Sequence, residues 1–225
     1  MSAKKQIVIV GAGGHGREAV DIVEAMNCAG DSLEVVGFID DGLEVGELAA
    51  PHDLPVIGGV DRLATLTLGV VLAIGDPRVR RKLAERITSF GRGFVSIVHP
   101  AASIGSWCEI GPGFIMAAGA RLTHGVRVGA HVHMNVNSSV SHDCDLGDFV
   151  TVTPGVHVSG SVQVGAGVWL GIGSVIKQGV TVGDEAVVGA GAVVVDDLPG
   201  YRTAVGVPAR PVPRELEAQK RTESR

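Results

Sequence analysis

An aliphatic residue stands at every sixth position from Val98 to Val194, seventeen times in succession and without an insertion. The series runs through Ile104, Ile110, Met116 and Leu122 and ends on Ile176, Val182, Val188 and Val194. Six residues rotate an α-helix by about 600°, so a helix cannot keep this series on one face. A flat strand has a period of two and needs turn signals between hairpins. A solenoid with three short flat sides, one hexad to a side, brings every aliphatic inside and stacks it on its neighbours. Three hexads then close a coil of 18 residues, and residues 18 apart lie above one another. The column Ser106, His124, His142, Gly160 and Gln178 is therefore expected to run along one corner of a prism.

Composition fits such a core. The chain has 33 glycines and only 4% aromatic residues, while 45% of it is hydrophobic. Stacked small aliphatics must replace an aromatic centre, with glycine and polar residues filling turns that tolerate positive φ. Nineteen Lys and Arg balance 24 Asp and Glu without a basic block, which argues against nucleic acid as a partner. Ile7–Val10 is too short an apolar run for a membrane span or a signal segment. The three cysteines, Cys28, Cys108 and Cys144, form no CxxC pattern, and a reduced, cytoplasmic setting is the simplest reading.

Residues 1–97 read differently. Gln6–Val10 has a buried-strand pattern and runs into Gly11-Ala12-Gly13-Gly14-His15-Gly16, with a helix expected from Arg17 to about Ala29. A second strand, Leu33–Ile39, ends on Asp40 and Asp41. Val70–Ile74 reads as a further strand ending on Gly75, a helix follows over Pro77–Gly91, and a last strand precedes His99. This alternation predicts a small Rossmann-like parallel α/β sheet. Glycines opening a helix bind phosphate through backbone N–H groups, and a carboxylate at the next strand end reaches a ribose or a base. About ninety residues leave no room for a second mononucleotide half, so a nucleotide mono- or diphosphate fits better than a dinucleotide. The division expected is thus a nucleotide-binding domain over 1–97, a left-handed parallel β-helix over 98–213, and a polar tail over 214–225, short helix or disordered.

A GAGGHG-started α/β domain joined to an uninterrupted hexapeptide β-helix resembles the bacterial sugar O-acyl/N-acyltransferases of the sialic-acid and bacillosamine type. Further pieces carry the resemblance in order: AIGDPRVR at 73–80, NVNSSVSHDCDLGDFV at 135–150, PGVHVSG at 154–160 and VGVPAR at 205–210. It implies a homotrimer with active sites between subunits, and acetyl-CoA-dependent acetylation of a nucleotide-linked 4-amino-4,6-dideoxy sugar. The lean is to GDP-perosamine, with UDP- and dTDP-linked sugars also within the family. No metal is implied. The resemblance puts the catalytic histidine on His142, followed by Asp143 where the family often has Glu. Acetyl-CoA contacts fall on Gly160, Ile172, Gln178 and Ala190, and Thr151 stands where some members have a histidine that helps bind it. The nucleotide sugar falls to Gly13, Gly14, His15, Asp40, Asp41 and Gly75, with Asn135 and His124 as further sugar contacts.

The chemistry agrees with these residue types. Acetyl transfer to an amine needs a base that titrates near working pH, and a carboxylate on its other ring nitrogen fixes the tautomer. The Gly160 N–H, one coil above His142, is expected to serve a developing oxyanion. Two other readings stay open from the residues alone. A sugar hydroxyl would use the same base, giving O-acetylation. His124, His131, His133, His142 and His157 also offer ligands for a zinc enzyme of the carbonic-anhydrase type.

Overall fold

The computed structural model describes residues 4–49 and 52–213, and the polar tail from Arg214 lies outside the described residues. The front domain comprises β1 (Lys5–Val10), α1 (Gly14–Cys28), β2 (Leu33–Ile39), β3 (Leu48–Ala49), β4 (Leu54–Gly58), a 3-10 turn over Val60–Ala64, β5 (Gly69–Leu72) and α2 (Pro77–Ser89). The strands lie in the order β3-β4-β2-β1-β5, all parallel except the β3–β4 pair. Ile7 and Ile9 of β1 pack with α1 on one face, and Val8 and Val10 pack with Leu63 and Ile87 on the other. Burial on both faces explains why β1 is a continuous apolar run and does not alternate. The chain winds from β1 to β2 on one side and returns to β5 on the other, so the strand order switches between β1 and β5.

Helix ends follow local chemistry. Asp76 caps α2, its side chain accepting from the Arg78 and Val79 N–H groups, and Pro77 occupies the first turn. Gly13 precedes α1 with no side-chain cap, so the N–H groups of its first turn are left for another acceptor. The helix starts at Gly14 and not at Arg17, because the glycine run itself supplies the first turn. Sequence reading missed β3 and β4, which are two and five residues long, the second carrying Pro55 and ending on Gly58.

Seventeen two-residue strands follow, from Ile97–Val98 to Val193–Val194, each ending on the aliphatic of its hexad. They form three parallel sheets in which each residue pairs with the one 18 positions on, as Arg121 with Ser139 and Leu122 with Val140. The inward residues make one core from Phe114 to Ala209. Ile104 and Ile110 are 41% and 38% exposed because no coil lies beneath them.

Backbone φ is positive at every sixth residue from Trp107 to Gly191. Eight of these turn positions are glycine; the others are Trp107, His131, Asn137, Asp143, Phe149, Ser161 and Glu185. The glycines that directly follow the aliphatics have another cause, contrary to the expectation that they occupy positive-φ turns. A Cβ at Gly129 would lie 2.5 Å from Asp148 Oδ1 and 2.6 Å from its backbone N, in the next coil. Close approach of successive coils demands those glycines.

The two domains share a core. Ile97 and Ile115 of the β-helix are buried with Ile22 and Val23 of α1. The strand expected to end the front domain is instead the first rung of the β-helix, since Val98 opens the hexad series and pairs with Met116. On the other helix, Arg78 and Arg81 pair with Glu185, and Arg81 lies over the Phe149 ring.

Candidate active site

The glycine loop contains two kinds of glycine. Gly11 has φ +99°, and a Cβ at Gly16 would overlap the Gly11 carbonyl, so both serve the tight strand-to-helix packing. A Cβ at Gly13, Gly14 or Gly75 would meet nothing within 4 Å. These three leave bare backbone at the carboxyl ends of β1 and β5, beside the switch in strand order, where ligands of open α/β sheets bind. Asp40 and Asp41 stand at the end of β2 and brace the surrounding loops. Asp40 Oδ2 accepts the Ala12 N–H at 2.9 Å and Oδ1 accepts that of Gly42 at 2.9 Å. Asp41 Oδ1 accepts the Val60 N–H at 2.7 Å, and its other oxygen faces Arg86.

A cleft of 490 Å³ opens between this crevice and one corner of the β-helix. It brings together His15, Gly75, Asn135, Thr151, Ile172 and Ala190, six residues singled out in the sequence. Trp169, Val187 and Val188 give it an apolar wall. A cavity of 200 Å³ adjoins it, sharing His15 and Asn135. His15 faces Glu18 Oε2 at 3.2 Å through Nδ1 and His133 Nδ1 at 3.0 Å through Nε2. The His15 ring holds the Glu18 carboxyl below its ordinary range. Burial pushes His133 well below the usual imidazole range, so it is neutral.

His142 stands on a different corner. Its Nδ1 lies 2.9 Å from Asp143 Oδ2, and both side chains are exposed, 54% and 64%. Asp143 has φ +59°, an uncommon conformation for a residue with a side chain. The column expected from the 18-residue spacing is present: Asp143 N–H donates to His124 O, Ser161 N–H to His142 O, and Gly179 N–H to Gly160 O. A Cβ at Gly160 would lie 2.5 Å from His142 Cε1 and 2.6 Å from Nε2, so the imidazole rests against bare backbone. The Gly160 N–H donates no hydrogen bond among the described residues. With Nδ1–H donated to Asp143, Nε2 is the basic nitrogen. Cys144, next in sequence, points inward; its thiol donates to Ser159 O at 3.0 Å, and burial raises its pKa. Gln178 and His124 are exposed on the same corner.

The cleft and His142 are separated by the sheet that runs from Ser103–Ile104 to Val193–Val194. One chain therefore does not bring His142, Asp143, His124, Gly160 and Gln178 to the cleft. Nor does it gather the β-helix histidines into a metal site. Among the described residues, the only group with metal-ligand spacing is Asp21, Glu24 and His52, on the front domain. His131 is stacked on Phe149 and edge-on to Phe94, while His157 contacts Ser139. Sequence reading missed Trp169, the His133 partner of His15, and Arg80. The last left a signal: Pro77, Arg80, Ala84 and Ile87 form the buried stripe of α2, an arginine among apolar residues at helical spacing.

Comparison with known proteins follows the same division. Residues 6–87 match the PglD N-terminal domain, and residues 161–196 match the bacterial transferase hexapeptide (six repeats). The acetyltransferase domain of PglB from Neisseria gonorrhoeae, in complex with acetyl coenzyme A, superposes with a TM-score of 0.86 at 31% identity. The match covers 93% of this chain and 100% of that one. A histidine-to-asparagine mutant of perosamine N-acetyltransferase from Caulobacter crescentus, with CoA and GDP-perosamine, superposes at 0.84 with 32% identity. Here 94% of this chain and 98% of that one are covered. UDP-N-acetylbacillosamine N-acetyltransferase of Bacillus subtilis is 32% identical over 116 residues, 51% of this chain. That match spans about half, 52%, of the curated relative's length.

Proposed function

The chain belongs to the nucleotide-sugar N-acetyltransferases that join a PglD N-terminal domain to a left-handed hexapeptide β-helix, and on that premise we propose that it transfers acetyl from acetyl-CoA to a nucleotide-linked amino sugar. The observation that carries this reading is the His142–Asp143 pair, with a free Nε2 against the bare backbone of Gly160. The amine attacks the thioester carbonyl carbon directly. His142 Nε2 takes the amine proton as the C–N bond forms, and the C–S bond breaks as the tetrahedral intermediate collapses. The imidazolium then returns the proton to the CoA thiolate. Asp143 stabilises that imidazolium and fixes its tautomer. The Gly160 N–H offers a donor to the oxyanion.

Bare backbone at Gly13, Gly14 and Gly75 suits the phosphates of a nucleotide, and the uncapped start of α1 supplies N–H groups and a positive dipole end. The apolar wall of Trp169, Val187 and Val188 suits the pantetheine arm of acetyl-CoA, with Ile172 and Ala190 beside it. Because His142 and the cleft lie on different corners, the working unit is an oligomer in which one subunit's His142 meets another's cleft. A trimer gives every cleft such a partner. Light scattering is expected to give about three times the 23.1 kDa chain mass; a fully active monomer would exclude the shared site.

GDP-perosamine is the substrate we favour, supported by likeness to the Caulobacter enzyme across nearly the whole chain; UDP- and dTDP-linked 4-amino-4,6-dideoxy sugars are the alternatives. The test is thiol release from acetyl-CoA with GDP-, UDP- and dTDP-linked amino sugars, and analysis of the product. Turnover of one of them to a hydroxylamine-stable amide is expected. An ester product would mean O-acetylation, and no turnover with any of them would refute the reading.

A further inference from the structure

Arg80 is completely buried, yet among the described residues none of its acceptors is a carboxylate. Its Nε donates to His131 O at 3.0 Å. One terminal nitrogen donates to Ile74 O at 2.6 Å and Gly75 O at 2.8 Å. The other donates to Phe149 O at 2.8 Å, Val150 O at 3.3 Å and Thr151 Oγ1 at 2.9 Å. All five guanidinium hydrogens thus have acceptors, divided between the loop after β5 and one corner of the β-helix. Only the planar fork of arginine offers enough donors to hold both at once. Burial pushes its pKa down to about 9, which still leaves it charged at neutral pH.

Thr151 completes the arrangement. Its hydroxyl accepts from Arg80 and gives its single proton to Gly75 O at 2.9 Å. A hydroxyl has one proton to donate, so Thr151 has no donor left for a ligand. Gly75 is therefore held from two sides while its own surroundings stay open to the cleft.

We infer that Arg80 and Thr151 are positioning residues that clasp the Gly75 loop to the β-helix, setting where the nucleotide end of the substrate sits, and that the Thr151 hydroxyl is not an acetyl-CoA contact. What the clasp positions rests on the proposed function; that it joins the two domains does not. The near-isosteric Thr151→Val removes the bond to Gly75 and one acceptor of Arg80, while Phe149 O still serves that nitrogen. Its KM for the nucleotide sugar is expected to rise about tenfold, as loss of a buried hydrogen bond implies, with KM for acetyl-CoA within about twofold of wild type. Thr151→Ser keeps the hydroxyl and is expected to restore wild-type values. Arg80→Lys keeps a charge but not the fork, and is expected to shift the same constant.

A rise in KM for acetyl-CoA alone would overturn the inference and make Thr151 a coenzyme contact. Amide hydrogen exchange of the variants separates the clasp from the function. Faster exchange over residues 73–80 in Thr151→Val, with the upper β-helix coils unchanged, supports the clasp even if no nucleotide sugar turns over. Unchanged exchange over 73–80 would refute it.

Discussion

Gly160 shows how a residue without a side chain shapes chemistry. A Cβ there would lie 2.6 Å from His142 Nε2, and the histidine is exposed enough to swing away at little cost in stability. Gly160→Ala is therefore expected to melt within a degree or two of wild type, yet to lose about 10²-fold in kcat as the base leaves its line to the amine. Unchanged kcat in a folded Gly160→Ala protein would mean that the ring position seen against Gly160 is not the working one. The 18-residue spacing made the stacking of Gly160 on His142 legible in the sequence. The pairing of His142 with Asp143 was expected from the resemblance, but its geometry was not legible, because the positive φ at Asp143 is invisible in composition. Arg80 escaped notice because a charge on a helix ordinarily points to solvent, and only the stripe it interrupts betrays its burial.

Among elements, the strand–turn–helix of the front domain separates structural from ligand-facing glycines. Gly16→Ala drives a Cβ into the Gly11 carbonyl and is expected to destabilise the chain by several kcal/mol or to push α1 off the sheet. Gly14→Ala meets nothing, and alanine in a helix is favoured over glycine by roughly 0.5–1 kcal/mol. Its melting temperature is expected to hold or rise, while KM for the nucleotide sugar increases. Thermal melts of the two variants side by side check the distinction; equal destabilisation would contradict it. The β-helix rungs were readable because an aliphatic returns at a strict six-residue period, buried from Met116 to Val194. The front strands β3 and β4 were not, since two to five residues broken by proline and glycine carry no period.

For the whole molecule, the interface between domains is where sequence reading had least to offer and where acid should act first. His131 is buried between Phe94 and Phe149, and burial followed by the nearby Arg80 charge lowers its pKa to about 4. His133, fully buried beside His15, is lowered well below its ordinary value by the same causes. The unfolded chain binds protons at these histidines near pH 6.5, whereas the folded chain does not. Their neutral burial therefore stabilises fully above about pH 6.5, and that stability is lost as pH falls from there toward about 4. Melting temperature measured across that window is expected to drop, and less steeply in His131→Phe, which cannot take up a proton. A wild-type melting temperature flat from pH 6.5 to 4 would contradict the neutral burial. Long-range contacts of this kind, between residues as far apart as His15 and His133, follow from docking and leave no local pattern in the chain.

Acetyl transfer by this chain turns on His142 acting as the base. The direct measurement is kcat for thiol release from acetyl-CoA with the preferred nucleotide-linked amino sugar, in wild type and in His142→Asn. The expected result is a fall of about 10²–10⁴-fold in kcat with acetyl-CoA binding intact, the size of a lost general base. Wild-type turnover in His142→Asn would contradict that role.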